Sequence, residues 1–168
     1  MKQLLSIFKK AQNSGFYLWL LNFLLGRGIP SNKPHNLKIM KITGNSVEIK
    51  LPYMRKNLNH LKGLHACGLA TLAEYSSGLL LMSNLDPAKY RLIMQSLEMN
   101  YFKQGKKTAI VKLSFEIDEL QQKVILPLQE NEAINFRQEV MIHDIENMHL
   151  CTAHVNWQIK DWSKVRMK

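Results

Sequence analysis

The sequence predicts an α+β domain in which a curved antiparallel sheet wraps around one long central helix, with a helical extension at the N-terminus. Three observations carry this expectation. Residues 63–84 have helical length, contain no proline and hold a single β-branched residue, Thr71. Apolar side chains cover more than one side of that segment, so it must be enclosed by something else. After it, stretches such as Ala109-Ile110-Val111-Lys112-Leu113-Ser114-Phe115 alternate apolar and polar residues with the period of a half-buried strand. With 168 residues, 46% hydrophobic and 21% charged, the chain can bury one core, and its composition excludes disorder, collagen-like repeats and a disulfide scaffold.

The elements follow in order. Residues 2–11 and 15–25 read as two short helices, joined at Ser14-Gly15 and stopped by Gly26 and Gly28 with Pro30 beyond. The apolar run from Phe16 to Leu25 is about half the length of a bilayer span, and so is not a transmembrane helix. Asn22 interrupts it and no small-x-small cleavage pattern follows, which argues against a signal peptide. Packing over a sheet is its expected use, and peripheral contact of residues 1–25 with a membrane is the alternative. The expected organisation is a helical segment over residues 1–30 and a main domain over residues 31–168. Residues 29–35 read as a loop, and residues 37–43 and 46–51 as a hairpin turning at Gly44-Asn45. An irregular basic connection over 52–60 leads to the central helix. Beyond it, strands are expected over 91–100, 107–117, 123–129, 133–144 and 150–159, with a turn at 101–106.

Charge is distributed unevenly. Residues 1–62 hold eleven Lys or Arg against the single acid Glu48, whereas residues 63–168 hold twelve of each sign. The net charge of +10 therefore belongs to the N-terminal third, which favours an anionic partner: nucleic acid, anionic lipid, a phosphorylated cofactor or an acidic carrier protein. A solubilising basic face is the plainer reading. Two cysteines, Cys67 and Cys151, 84 positions apart, suit a reducing, cytoplasmic compartment.

Chemistry concentrates around the central helix. Between Lys62 and Asp86 the only formally charged residue is Glu74. A carboxylate among apolar and small residues is costly to bury, so it needs a partner or a task. Its helical neighbours Ala70, Thr71, Ser77 and Gly78 are small, which leaves it facing open space or another subunit. A structural Glu bonded to a backbone amide or paired with a Lys or Arg elsewhere is the alternative. Just upstream, Asn57-Leu58-Asn59-His60-Leu61-Lys62-Gly63-Leu64-His65-Ala66-Cys67 offers amides, two imidazoles and the free N–H groups of a helix start, which favour a developing negative charge. His65 and Glu74 lie about 2.5 turns apart and point to roughly opposite sides. One chain alone does not bring them together. Cys67 is expected to be a buried thiol, His149 and His154 show no convincing ligand spacing, and Met40, Met82, Met94, Met99 and Met141 read as core filler or as the lining of an acyl pocket.

The helix-plus-sheet order and the string Asn59-x5-His65-x8-Glu74 resemble the hotdog fold, specifically the acyl-CoA thioesterase superfamily near the phenylacetate-pathway enzymes, over about residues 36–160. The N-terminal segment is similar to that of an uncharacterised branch of the same superfamily. There the motif runs Asn, His-Gly-Gly, then an Asp or Glu on the central helix. The resemblance implies a homodimer or dimer of dimers with the active site at the subunit interface. It makes Glu74 the general base or nucleophile, opposite Asn59 and the His65-Ala66 segment of the neighbouring chain. Asn59 would position water or the thioester, and the Ala66 N–H would polarise the carbonyl. Substrate contacts are expected from Gly63, Cys67, Thr71, Ser77, Gly78 and Lys103. The sequence departs from His-Gly-Gly at Ala66 and Cys67, where a methyl and a thiol replace glycine.

The expected activity is hydrolysis of an acyl thioester carried by coenzyme A or an acyl carrier protein, with no metal, no redox cofactor and no nucleic acid. A non-catalytic hotdog module that binds acyl chains or thioesters is the alternative. A hotdog dehydratase requires a His-Phe-Pro-rich setting that this sequence lacks. A nucleic-acid binder is motivated by charge alone.

Overall fold

A computed structural model of the chain describes residues 2–116 and 118–165, except for the side chains of residues 2 and 3. Helices α1 (Lys2–Ala11) and α2 (Gly15–Gly28) lead through a 3-10 turn (Pro30–His35) into strands β1 (Lys38–Ile42) and β2 (Ser46–Leu51). A second 3-10 turn (Arg55–Asn57) precedes the central helix α3 (Ala66–Asn84). Strands β3 (Tyr90–Tyr101) and β4 (Ala109–Ser114) follow, then a π-turn (Gln121–Ile125), the short helix α4 (Pro127–Glu130) and strands β5 (Ala133–Asp144) and β6 (His149–Asp161).

The six strands form one sheet in the order β1-β2-β4-β5-β6-β3, with every neighbouring pair antiparallel. Helix α3 therefore carries the chain from β2 across the sheet to β3 at the opposite edge. Alternation decides which face meets the helix: Val47, Ile49 and Leu51 of β2 are buried, as are Ala153, Val155, Trp157 and Ile159 of β6. Against them lie Leu72, Ala73, Leu79, Leu80 and Leu81 of α3. This is the α+β hotdog arrangement, a curved sheet around one helix.

The N-terminal helices join the same core through Phe8, Ala11, Leu21 and Leu25. Asn22, the one polar residue in the apolar run, has a specific use. Its Nδ2 donates to the Ile39 and Leu18 carbonyls at 3.0 Å each, and its Oδ1 accepts from the Ile39 N–H at 2.8 Å. One amide thus pairs with the open edge of β1 much as a further strand would, and protects it. Among the described residues no helix is long and apolar enough to cross a membrane.

Residues 123–129 are not a strand. They belong to the π-turn and α4, where Pro127 opens the helix and Val124 and Leu128, four apart, bury one face. The valine, isoleucine and leucines read as strand, although the spacing of the two buried residues is helical. Residues 30–35 are a 3-10 turn rather than a loop, and α2 runs on to Gly28. Strand β4 spans 109–114, shorter than 107–117, and residue 117 lies outside the described residues.

Candidate active site

The site is built from the segment that leads into α3. Asn57 is buried, and its Nδ2 donates to the Pro52 carbonyl at 2.9 Å and the His35 carbonyl at 3.0 Å. Its Oδ1 accepts from His35 Nδ1 at 3.0 Å, which places a proton on that nitrogen. The Asn57 carbonyl accepts the His65 N–H at 2.8 Å, so one buried amide residue fixes where α3 begins. The next loop closes on Asn59, whose Oδ1 accepts from the Leu61 N–H at 2.9 Å and the Gly63 N–H at 3.0 Å. Gly63 packs against the Gln104 side chain so closely that a Cβ there would collide with it. Tyr53 Oη closes the loop from the other side by donating to the Lys62 carbonyl at 2.5 Å.

His65 caps α3. Its Nδ1 accepts the Cys67 N–H at 3.1 Å, leaving the ring proton on Nε2. Tyr101 Oη, at the end of β3, donates to the Ala66 carbonyl at 2.9 Å. Burial first, then the nearby Cys151 and Cys67 thiols, hold the Tyr101 phenol above its ordinary range. His65, Ala66 and Cys67 are all exposed, so Cys67 is not the buried thiol its sequence context suggests. The buried cysteine is Cys151, whose thiol is pushed up to about 12 by that burial.

Glu74 lies about 12 Å further along α3. It is half-buried beside a cavity of about 180 Å³ lined by Leu25, Ile29, Asn32, Tyr75, Gly78, Leu79, Met82, Leu92 and Trp157. Burial raises the Glu74 carboxyl above the usual carboxylate range. Burial and the Glu74 charge likewise raise the Tyr75 phenol. Among the described residues Glu74 makes no ion pair. The far wall is held rigidly, because Trp157 Nε1 donates to Ser77 Oγ at 2.6 Å and that hydroxyl donates to Gln138 Oε1 at 2.7 Å. A Cβ on Gly78 would stand 3.1 Å from the Trp157 ring, so glycine here lets the ring approach the helix. A larger depression of about 540 Å³ around Asn45, Ser114 and Glu119 is open and shallow, and lacks such apolar enclosure.

The expected residues thus fall into two groups. Asn59, Gly63, His65, Ala66 and Cys67 gather at the start of α3, with exposed Lys103 on the adjoining loop, where its N–H donates to the Leu150 carbonyl at 3.1 Å. Glu74 and Gly78 share the cavity. Thr71 is half-buried between the groups and donates to the Cys67 carbonyl at 2.8 Å. Ser77 is wholly buried behind the cavity wall. Of the five methionines considered, only Met82 lines the cavity. Sequence reasoning missed Leu25, Ile29, Asn32, Leu92 and Trp157 as lining, and Asn57 as the organiser of the helix start. The inward phase of Trp157, between buried Val155 and Ile159, was the one legible signal. Among the described residues no group of three His, Cys, Asp or Glu is placed to hold a metal ion.

Solved structures share this architecture at low identity. A Pseudomonas aeruginosa protein of unknown function, described as a probable thioesterase, superposes with a TM-score of 0.79 at 19% identity, covering 85% of this chain and 95% of that one. A Chlorobaculum tepidum protein of unknown function gives 0.73 at 11% identity, covering 90% and 99%. A Haemophilus influenzae thioesterase gives 0.65 at 13% identity, covering 90% and 95%. No curated protein matches the chain. The profile of the domain of unknown function DUF4442 matches residues 19–159, from within α2 to within β6 and including both halves of the site, and the chain belongs to that family.

Proposed function

We propose that the chain hydrolyses acyl thioesters, with Glu74 as general base and the acyl chain in the apolar cavity beside it. The observation that carries this reading is an unpaired, half-buried carboxylate at the mouth of an apolar cavity, its pKa raised by burial toward the range where a general base works at neutral pH. The Glu74 carboxylate takes a proton from water as the water oxygen attacks the thioester carbon. The C–S bond then breaks, and the leaving thiolate takes up the proton. The hotdog neighbours described as thioesterases agree with this chemistry.

The donor for the carbonyl oxygen is the first-turn N–H of Ala66 in a second copy. Strand β3 supports this arrangement. It is a sheet edge of twelve residues with Ile93, Met94 and Tyr101 exposed, a form of edge that invites pairing. One end of it, Leu92, lines the Glu74 cavity, and the other, Tyr101, holds Ala66. Antiparallel pairing of two β3 strands about a two-fold at Ser96 sets Leu92 of each copy opposite Asn100 of the other, next to Tyr101, and so each Glu74 near the opposite α3 start. Asn59 Oδ1 is occupied by its loop, which leaves its Nδ2 to meet water or substrate. Lys103, exposed near the α3 start, suits the phosphates of coenzyme A or of a carrier's pantetheine arm.

The test is thiol release from a panel of acyl-CoA thioesters of increasing chain length. The wild type is expected to turn over and Glu74→Ala to lose turnover by about a hundredfold or more with its fold intact. Saturable binding of the thioesters by both proteins without thiol release would instead identify an acyl-binding module. Ser96→Lys sets like charges directly opposite each other at the two-fold, and is expected to shift sedimentation from dimer to monomer and to lower turnover with it. A monomeric variant with full activity would overturn the shared site.

A further inference from the structure

We infer that α2 docks the protein on an anionic phospholipid surface. Phe16, Trp19 and Phe23 recur at helical spacing and form one outward stripe, 64%, 59% and 45% exposed. Their rings are in continuous contact, with centroids 6.0 Å apart for Phe16 and Trp19 and 5.7 Å for the stacked Trp19 and Phe23. Leu24 is exposed on the flank. The opposite face, through Leu21 and Leu25, is buried in the core, so the stripe is not left over from an unpacked helix.

Cations bracket the stripe. Arg27 lies in the same row one turn on, its guanidinium 5.2 Å from the Phe23 ring centroid. Lys9 and Lys10 end α1 at the other end, with Lys10 Nζ 4.9 Å above the Tyr17 ring. Residues 1–47 contain seven Lys or Arg and no Asp or Glu. A second copy placed on this stripe would oppose these cations to one another with no acid from residues 1–47 to relieve them, which disfavours self-pairing. An aromatic and leucine centre with basic ends matches a helix lying in a membrane interface, its rings among the acyl chains and its cations at lipid phosphates. The inference does not rest on the thioester reading, although Leu25 on the other face of α2 walls the Glu74 cavity.

The full chain is to be co-sedimented with vesicles of phosphatidylcholine alone, and of phosphatidylcholine with about a third phosphatidylglycerol. Partitioning onto the anionic vesicles is expected to be about tenfold stronger or more, and to weaken in high salt. Phe16→Ser/Trp19→Ser/Phe23→Ser changes exposed side chains only, so it should keep the wild-type circular dichroism and melting curve while losing vesicle binding by about tenfold or more. Lys9→Gln/Lys10→Gln/Arg27→Gln should lose the preference for anionic vesicles. Absence of wild-type partitioning, or equal partitioning by wild type and the triple-serine variant, overturns the inference. So does a triple-serine variant that changes only the oligomeric state, which would assign the stripe to a second copy.

Discussion

Glu74→Gln is expected to remove thioester hydrolysis, by about 10²–10⁴-fold, and at the same time to make the protein more stable at neutral pH. Both effects have one cause. Burial makes ionisation of this carboxyl costly, so its folded pKa stands above its unfolded value. Between those two values the folded state holds a proton that the unfolded state has released, so stability falls as pH rises through this window and stays lower above it. The neutral amide carries no such dependence. In thermal melts the variant should therefore melt higher than wild type at pH 7–8, and the difference should close as pH drops below the ordinary carboxylate range. A difference that does not change with pH would show that burial of charge is not its source. In activity, the acid limb of the wild-type pH–rate profile is expected above the ordinary carboxylate range, since the base must be ionised to accept a proton from water.

Trp157→Ala is expected to cost about 3–5 kcal/mol, measured by urea denaturation. The indole is almost wholly buried, forms the cavity wall against Gly78 and donates to Ser77 Oγ. Truncation removes that packing and leaves space that neighbouring backbone cannot collapse into, because α3 and β6 are both held by the sheet. Ser77 keeps its bond to Gln138, so the hydroxyl is not orphaned and the loss is mainly one of packing. In the thioester panel the wider cavity should move the preference toward longer acyl chains. Trp157→Phe, which keeps most of the wall and loses the indole donor, should cost less and move the preference less. An unchanged chain-length profile in Trp157→Ala would separate this cavity from the acyl chain.

The elements differ in how far they could be read in advance. The period-two alternations of β2, β5 and β6 and the proline-free run of α3 are strong local patterns, and their positions follow from sequence within a few residues. Residues 121–130 were harder, since a short segment rich in Val, Ile and Leu fits a buried strand or a buried turn of helix equally well. Around the site, Glu74 stands out as a lone charge in the central helix, and His65 as a residue able to cap it. Asn57 and Asn59 look equivalent in the sequence. Asn57 is the buried one because Pro52 and His35, from separate segments, bring their carbonyls to its amide.

The class of the fold, the face of each alternating strand, the isolation of Glu74 and the basic character of the N-terminal third can be read from the chain alone, because each depends on the order of nearby residues. Tertiary structure alone decided that β3 lies beside β6 at a free edge, and that Leu25, Ile29 and Asn32 close the cavity on Glu74. It also turned Phe16, Trp19 and Phe23 outward while Leu21 and Leu25 face in. Periodicity specifies which side of an element is apolar. The partner that covers that side is chosen by packing between segments far apart in the chain.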